Sequence, residues 1–140
     1  MNKRCSNWPT KLDLFMHEKR DQPFDWAGNN CCFFACDWIA ILIGHDPAAE
    51  LRAMVDSALS AARVLKDNGG VEGIAERICS ENKWEGAANI NLARRGDVVL
   101  WDSAEGPALG VCAGELSWFA GSAGVVQVAT KDCRRAWRVG

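Results

Sequence analysis

Cys31 is the residue with the clearest potential for chemistry in this sequence. It follows Asn30, whose side-chain oxygen can cap a helix, and it opens the largely apolar stretch Cys31 to Gly44. A thiol at the start of a helix lies near exposed amides and the positive end of the helix dipole, and both favour the thiolate. The position therefore predicts a nucleophilic cysteine. The alternative interpretation is that Cys31 and Cys32 are small apolar residues of the core that happen to be cysteine.

A cysteine nucleophile needs a proton acceptor, and the chain contains two histidines, His17 and His45. His17 falls on a helix predicted from Pro9 to Arg20, one loop before Cys31, so it is either the base or a surface side chain. His45 follows the far end of the helix that Cys31 opens, and a rise of about 1.5 Å per residue places it roughly 20 Å from Cys31. The sequence therefore leaves His17 as the candidate base.

The stretch from Cys31 to Gly44 is also the predicted centre of the fold. Apolar residues occupy nearly every face of this helix, so the rest of the domain should surround it. Gly44, followed by His45-Asp46-Pro47, ends it. Asp37 lies inside the helix and must reach a partner or solvent, because an unpaired buried carboxylate is costly. Its candidate partners are Arg134, Arg135 and Arg138.

The spacing of apolar residues changes along the chain from a helical to an extended period. Besides the central helix, helices are predicted at 9–20, 47–55, 57–66 and 71–82, and the five predicted strands are 98–101, 109–113, 116–119, 125–128 and 136–139. Asp97 precedes the first strand as a turn residue. Helices followed by an antiparallel meander predict an α+β fold of one domain, residues 1–140, with the central helix packed on a sheet of about five strands.

Composition limits the classes of function. The chain of 140 residues is 49% hydrophobic and 24% charged with a net charge of -2, which is ordinary for a globular domain. Neither the basic surface of a nucleic-acid-binding protein nor a disordered acidic tail is indicated. The first residues contain no apolar signal segment and the central helix is too short to cross a bilayer, so neither an export signal nor a membrane segment is expected.

The seven cysteines favour free thiols over a disulfide framework, because their number is odd and two are adjacent. Free thiols in turn indicate synthesis in a reducing cytosol. Cys31, Cys32 and Cys36 share one apolar helix and the other four are scattered, unlike the paired spacings of zinc or iron–sulfur sites. No metal and no cofactor is therefore expected. A cysteine-rich redox or metal protein is the third hypothesis for the function, and the first two are given at the end of this subsection. The seven Trp are spread over the chain, which suits core and interface contacts.

Three short motifs together resemble the NlpC-type cell-wall cysteine peptidases, a branch of the papain-like fold. The motifs are an aromatic-Gly loop leading to a Cys-led helix (Trp26 to Cys31), Gly96-Asp97-Val98-Val99, and Ala108-Leu109-Gly110-Val111. The resemblance implies a papain-like arrangement of the central helix and the sheet, and peptidoglycan as the substrate. It implies Cys31 as the nucleophile and the Cys31 or Cys32 amide in the oxyanion hole.

Nearly the whole chain resembles, more closely, a family of small proteins encoded in the tail-gene modules of bacteriophages. The matching segments are Asn30 to Trp38, Asp46-Pro47, the motifs at 96–99 and 108–111, and the closing residues 136–140. This resemblance implies a protein of the phage tail tip, synthesised in the host cytoplasm and carried in the virion. Its implied partners are other tail proteins, namely the hub, the distal tail protein and the tape measure.

Two positions depart from the peptidase pattern. Asn30 stands where the peptidases have Asp, although it can still cap a helix. Ala108 stands where they have the general-base His, and Ala can neither accept a thiol proton nor protonate a leaving amine. The first hypothesis is therefore a degenerate cysteine-peptidase fold that serves as a structural or assembly protein of a phage tail. The second is an active peptidoglycan-directed peptidase or amidase that uses Cys31 with His17, or a residue of a partner, as base.

Overall fold

The computed structural model describes residues 3–26, 28–85 and 87–140. Within these residues the α-helices come first: α1 (Trp8–Lys19), α2 (Phe33–Ile43), α3 (Ala49–Arg52), α4 (Ala58–Asp67) and α5 (Gly70–Glu81). The strands follow: β1 (Ala87–Ala88), β2 (Val98–Ser103), β3 (Gly106–Cys112), β4 (Leu116–Gly121), β5 (Gly124–Ala129) and β6 (Arg135–Trp137). Short 3-10 helices lie at Ile90–Leu92 and Thr130–Asp132. Helices followed by an antiparallel sheet confirm the predicted α+β class.

The five predicted strands correspond to β2 to β6, and two elements differ from the prediction. The helix predicted over 47–55 is limited to α3, because the main chain leaves the helix through tight turns in which Met54 and Val55 donate to the carbonyls of Leu51 and Arg52. The sheet also contains β1, which pairs with β6. A strand of two residues is too short to give a periodic pattern in the sequence.

The first turn of α2 is built by Asn30. Its Oδ1 accepts hydrogen bonds from the amides of Cys32 at 2.9 Å and Phe33 at 2.8 Å, which confirms the predicted cap. The helix itself begins at Phe33, so Cys31 and Cys32 form the turn that leads into it rather than its first helical residues. At the other end Gly44 has a φ of 86° and donates to the Ala40 carbonyl, as expected for a glycine that ends a helix.

The strands form one antiparallel sheet in the order β1-β6-β2-β3-β4-β5. Successive side chains of a strand point to opposite faces, so the sheet contributes to two apolar clusters. One face, with Leu100, Leu109 and Val111, joins α2 and α5 in the main core. The opposite face forms a smaller cluster, the Ala108 cluster, which consists of Val99, Ala108, Cys112, Phe119, Cys133 and Ala136.

α2 lies between the sheet and the remaining helices, as its apolar composition predicts. It packs on β3 and against α1, and most of its side chains are buried. The indole of Trp38 donates to the Gly96 carbonyl at 2.9 Å, and the Leu42 carbonyl accepts from the Cys5 amide at 2.9 Å. α2 is therefore joined to both the N-terminal segment and the turn before β2. No α-helix among the described residues has the length and hydrophobicity needed to span a membrane.

Asp37 forms an ion-pair network, but the prediction that its partner is Arg134, Arg135 or Arg138 was wrong. Its carboxylate binds Lys19 and Arg52, and Arg52 also binds Asp46 at 2.7 Å. These bonds join α2 to α1 and α3, because Asp37 lies on the side of α2 that these helices cover. Arg134, Arg135 and Arg138 are engaged elsewhere, with Asp102 and with Glu72, Glu76 and Glu85 of α5 and the segment after it.

Candidate functional site

Cys31 lies where α2 meets β3. β4 pairs with β3 only at Val111 and Cys112, and nearer the start of β3 the Leu109 amide donates to the Cys31 carbonyl at 2.7 Å. The main chain of Cys31 thus takes the place next to β3 that a continuous β4 would occupy. This bond fixes the position of Cys31 relative to the residues on either side of Leu109.

The Cys31 side chain is half-buried in apolar surroundings. It packs against both the main core and the Ala108 cluster. Ala108 is 8% exposed and pairs across the sheet with Trp101, which also packs on this cluster. The peptidase pattern would have His at position 108. This chain has Ala there, and its methyl group belongs to the cluster that the Cys31 side chain contacts.

Two opposing effects act on the thiol of Cys31. Burial raises its pKa, and this effect exceeds the lowering that its own main-chain amide produces by hydrogen bonding. Cys32 has a pKa well above the usual range, because the Cys36 side chain hydrogen-bonds to it and because it is buried. Burial therefore acts against the Cys31 thiolate that the start of the helix was expected to favour.

The two histidines lie on exposed surface. His17 is on the face of α1 opposite the buried residues Leu12, Phe15 and Met16, and His45 follows the end of α2. In residues 3–26, 28–85 and 87–140, no hydrogen bond joins either imidazole to Cys31. The sequence hypothesis of His17 as base has no supporting contact in this arrangement.

One predicted oxyanion-hole donor is already engaged. The Cys32 amide donates to Asn30 Oδ1, and the same oxygen holds the Phe33 amide. Asn30 in turn is held by its amide group, which donates to the Trp26 carbonyl at 2.8 Å. The cap that builds the turn therefore competes with any oxyanion for the Cys32 amide.

A small apolar cavity adjoins Cys31, and sequence analysis did not predict it. It has a volume of about 10 Å³, the space of a single water molecule, and its walls come from the loop before α2 and from Val55, Val64 and Leu65 around α4. Trp26 lies at this cavity with 43% of its surface exposed, and its ring contacts Phe24 edge-to-face at 4.8 Å. The aromatic loop was visible in the sequence, but its pairing with α4 is a tertiary contact.

Asp97 is a turn residue, as predicted, and it is also part of a buried ion pair. Its carboxylate accepts from the Arg94 amide at 3.0 Å and from Arg4 at 2.7 Å, and the residue is only 1% exposed. Burial raises the pKa of Asp97, although the Arg94 amide and the Arg4 guanidinium both act in the opposite direction. Its contacts are those of a residue that fixes the N-terminal segment to the sheet.

Metal ligands are not assembled in the part of the chain that the structure describes: no group of three or more His, Cys, Asp or Glu side chains there is placed to hold an ion. All seven cysteines are free thiols, of which Cys5 and Cys31 are partly exposed and the others buried.

Comparison with other sequences gives a family but no activity. No curated protein matches the chain. One family model, described as a domain of unknown function (DUF6950), matches residues 3–139, which include both Cys31 and Ala108. Because the match extends over almost the whole chain, this protein belongs to the DUF6950 family.

Proposed function

We propose that this protein is a non-catalytic component of a bacteriophage tail tip, built on a degenerate cysteine-peptidase scaffold and acting by binding other tail proteins. The observation that carries the non-catalytic part is the surroundings of Cys31, whose side chain packs on the Ala108 cluster and whose pKa is raised by burial. The tail tip, the virion and the partner proteins come from the resemblance of the sequence.

Hydrolysis by a cysteine depends on proton transfer. This reaction requires a thiolate, and burial of Cys31 raises its pKa, which disfavours the thiolate. It also requires a group that protonates the leaving amine, and a methyl group at Ala108 does not supply one. Loss of one member of a catalytic triad lowers the rate by orders of magnitude, so this scaffold is poorly suited to catalysis.

The surface next to Cys31 suits a binding role. Trp26 exposes a large aromatic side chain beside Phe24. Aromatic residues at the centre of protein interfaces carry a disproportionate share of the binding free energy. In a hydrolase this region would border the substrate cleft, and in a scaffold protein it is available as a contact surface for a tail protein.

The second candidate function is the peptidoglycan hydrolase, which the partial exposure of Cys31 favours. It would need His17 or a residue of a partner as base. The hub, distal tail and tape-measure proteins of the same module are the partners to test, because an incoming imidazole would have to come from one of them.

Two measurements on purified protein separate these functions. Peptidoglycan is incubated with the wild-type chain and with Cys31→Ala, alone and with the tail proteins of the module. We expect no digestion by either form. Digestion by the wild type that Cys31→Ala abolishes would overturn the proposal in favour of the hydrolase.

The binding role is tested with the same tail proteins in a co-purification assay. Trp26→Ala should weaken association with at least one of them, because it removes the exposed ring and leaves the Trp26 carbonyl that accepts from Asn30 in place. Leu92→Ala serves as the control and should associate like the wild type, because Leu92 is exposed and does not line the cavity beside Trp26. If none of the hub, distal tail or tape-measure proteins binds the wild-type chain, the proposed role in the tail is wrong.

A further inference from the structure

A second cavity lies on another part of the molecule and is rich in arginine. It has a volume of about 380 Å³ and lies between the N-terminal segment, the turn before β2 and the residues after β6. Four arginines line it, Arg4, Arg94, Arg95 and Arg138, together with one acidic side chain, that of Asp97, and the last residue, Gly140. Positive side chains thus outnumber negative ones around this space.

Two of these arginines have partners that neutralise them. Arg4 binds the buried carboxylate of Asp97 at 2.7 Å, so this pair contributes little net charge to the cavity. Arg95 binds Asp13 at 2.9 Å on the surface. The two remaining arginines of the cavity are Arg94 and Arg138.

Arg94 and Arg138 are weakly compensated. Within the described residues no hydrogen bond or ion pair engages the Arg94 side chain, which is exposed. Arg138 reaches Glu85 only at 3.5 Å, and its Nε is buried and has no hydrogen-bond partner in the described part of the chain. Because this Nε is closed off from solvent, an anion in the cavity would contact Arg138 through the exposed part of its side chain, which is 36% exposed.

Arg4 holds the wall of the cavity in place. Its Nε donates to the Val139 carbonyl at 2.8 Å, its Nη1 donates to the Arg95 carbonyl at 3.0 Å, and its guanidinium lies over the Trp8 ring at 4.6 Å. Burial lowers the pKa of Arg4, and the positive charges of Arg94 and Arg138 lower it further, which indicates that both lie close enough to repel Arg4. A bound anion would relieve this repulsion.

We propose that this cavity binds a phosphate-class oxyanion, with Arg94 and Arg138 as its ligands. A guanidinium presents a planar set of N–H donors that pair with two phosphate oxygens at once. Arg94 supplies a charge that has no ion-pair partner among the described residues, and Arg138 supplies a charge that is paired with Glu85 only at 3.5 Å. The cavity is larger than phosphate alone needs, so an organic phosphate monoester fits the same chemistry. This inference is independent of the proposed role in a phage tail.

The experiment is a calorimetric titration of the full chain with inorganic phosphate and with glycerol phosphate, with ionic strength held constant by chloride. Arg94→Gln and Arg138→Gln should each weaken anion binding about tenfold, because one charge-assisted contact contributes roughly that factor. The double variant should show no saturable anion binding. Arg63→Gln is the matched control, because Arg63 is exposed on α4 and does not line the cavity. Circular dichroism of each variant verifies that it is folded.

Tighter binding of glycerol phosphate than of inorganic phosphate would support an organic monoester as the ligand, and the reverse order would support free phosphate. Absence of saturable binding of both anions to the wild-type chain would overturn the proposal. Equal binding of phosphate by the wild type and by Arg94→Gln would also overturn the proposal. The Arg94 side chain is exposed and has no hydrogen bond or ion pair among the described residues, so this substitution should leave the fold intact.

Discussion

At the scale of single residues, the reactivity of Cys31 depends on two opposing effects on its thiol. The main-chain amide lowers the pKa, and burial against the Ala108 cluster raises it by more. Ala108 matters to this balance because it contributes a methyl group, and no polar atom, to the cluster on which Cys31 packs.

Ala108→His is predicted to increase the reactivity of Cys31. An imidazole in the Ala108 cluster would stabilise the thiolate, so alkylation of Cys31 by iodoacetamide at neutral pH should become faster than in the wild type. The larger side chain should also lower the free energy of unfolding by about 1–3 kcal/mol through overpacking. The rate is measured by mass spectrometry of the peptide that contains Cys31.

Ala108→Leu is the control for this substitution, because it adds a similar volume without a titratable group. The wild-type chain and Ala108→Leu should alkylate slowly at neutral pH. If Ala108→His reacts no faster than Ala108→Leu, position 108 does not face the thiol as the peptidase resemblance implies.

At the scale of elements, α2 is fixed by a cap at one end and by ion pairs along one side. Asn30 holds the amides of Cys32 and Phe33, and Asp37 joins α2 to α1 and α3 through Lys19 and Arg52. The cap and the ion pairs can each be removed by a single substitution.

Asn30→Ala should lower the free energy of unfolding by about 1 kcal/mol, because the Cys32 and Phe33 amides lose their acceptor. Urea unfolding monitored by Trp fluorescence measures the change. Asn30→Ser retains a side-chain acceptor and should be less destabilising. Equal stability of Asn30→Ala and the wild type would mean that water replaces the cap without cost.

Asp37→Asn should lower the free energy of unfolding by roughly 1–2 kcal/mol, because it removes the charge that two partly buried cations share. The comparison is Arg134→Gln, whose ion pairs with Glu72 and Asp102 are about half exposed and should contribute less than those of Asp37. Both are measured by urea unfolding. A larger effect of Arg134→Gln than of Asp37→Asn would contradict the assignment of Asp37 as the link between the helices.

At the scale of the whole molecule, the buried thiols connect stability to pH. Burial raises the pKa of Cys79 to about 12, with the charge of Glu76 acting in the same direction, and it raises the pKa of Cys133 to about 11. Both groups are buried in the folded chain and ionise at a lower pH once it unfolds.

The free energy of unfolding is therefore predicted to fall at alkaline pH. A raised pKa in the folded state stabilises the protein fully below the ordinary thiol pKa of 9.0, and this contribution is lost as the pH rises through 9.0 towards about 11 and 12. Each thiol can contribute a slope of up to about 1.4 kcal/mol per pH unit in this window. Urea unfolding in the presence of a reductant, at pH values between about 8 and 11, measures the slope.

The sequence has no Tyr, so tyrosine ionisation does not add to this pH dependence. The double variant Cys79→Ala/Cys133→Ala should show a shallower slope, whatever its stability at neutral pH. An unchanged slope in that variant would mean that Cys79 and Cys133 do not cause the alkaline loss of stability.

Local chemistry was enough to predict much of the fold. The apolar stretch with Asn30 before it and Gly44 after it predicted α2 to within two residues at its start, because capping and helix termination are properties of adjacent residues. The period of two predicted β2 to β6, and the order of helices and strands predicted the α+β class. The sequence also marked Cys31, Ala108 and Asp97 as the positions to examine.

Only the tertiary structure decided the surroundings of these residues. The partners of Asp37, the ion pair between Arg4 and Asp97, and the arginine-lined cavity join segments that are far apart in the sequence, and residue spacing does not determine such contacts. The raised pKa of Cys31 has the same origin. A helix start acts on a thiol through adjacent amides, whereas desolvation depends on every element that packs around it, and in this protein the second effect is larger.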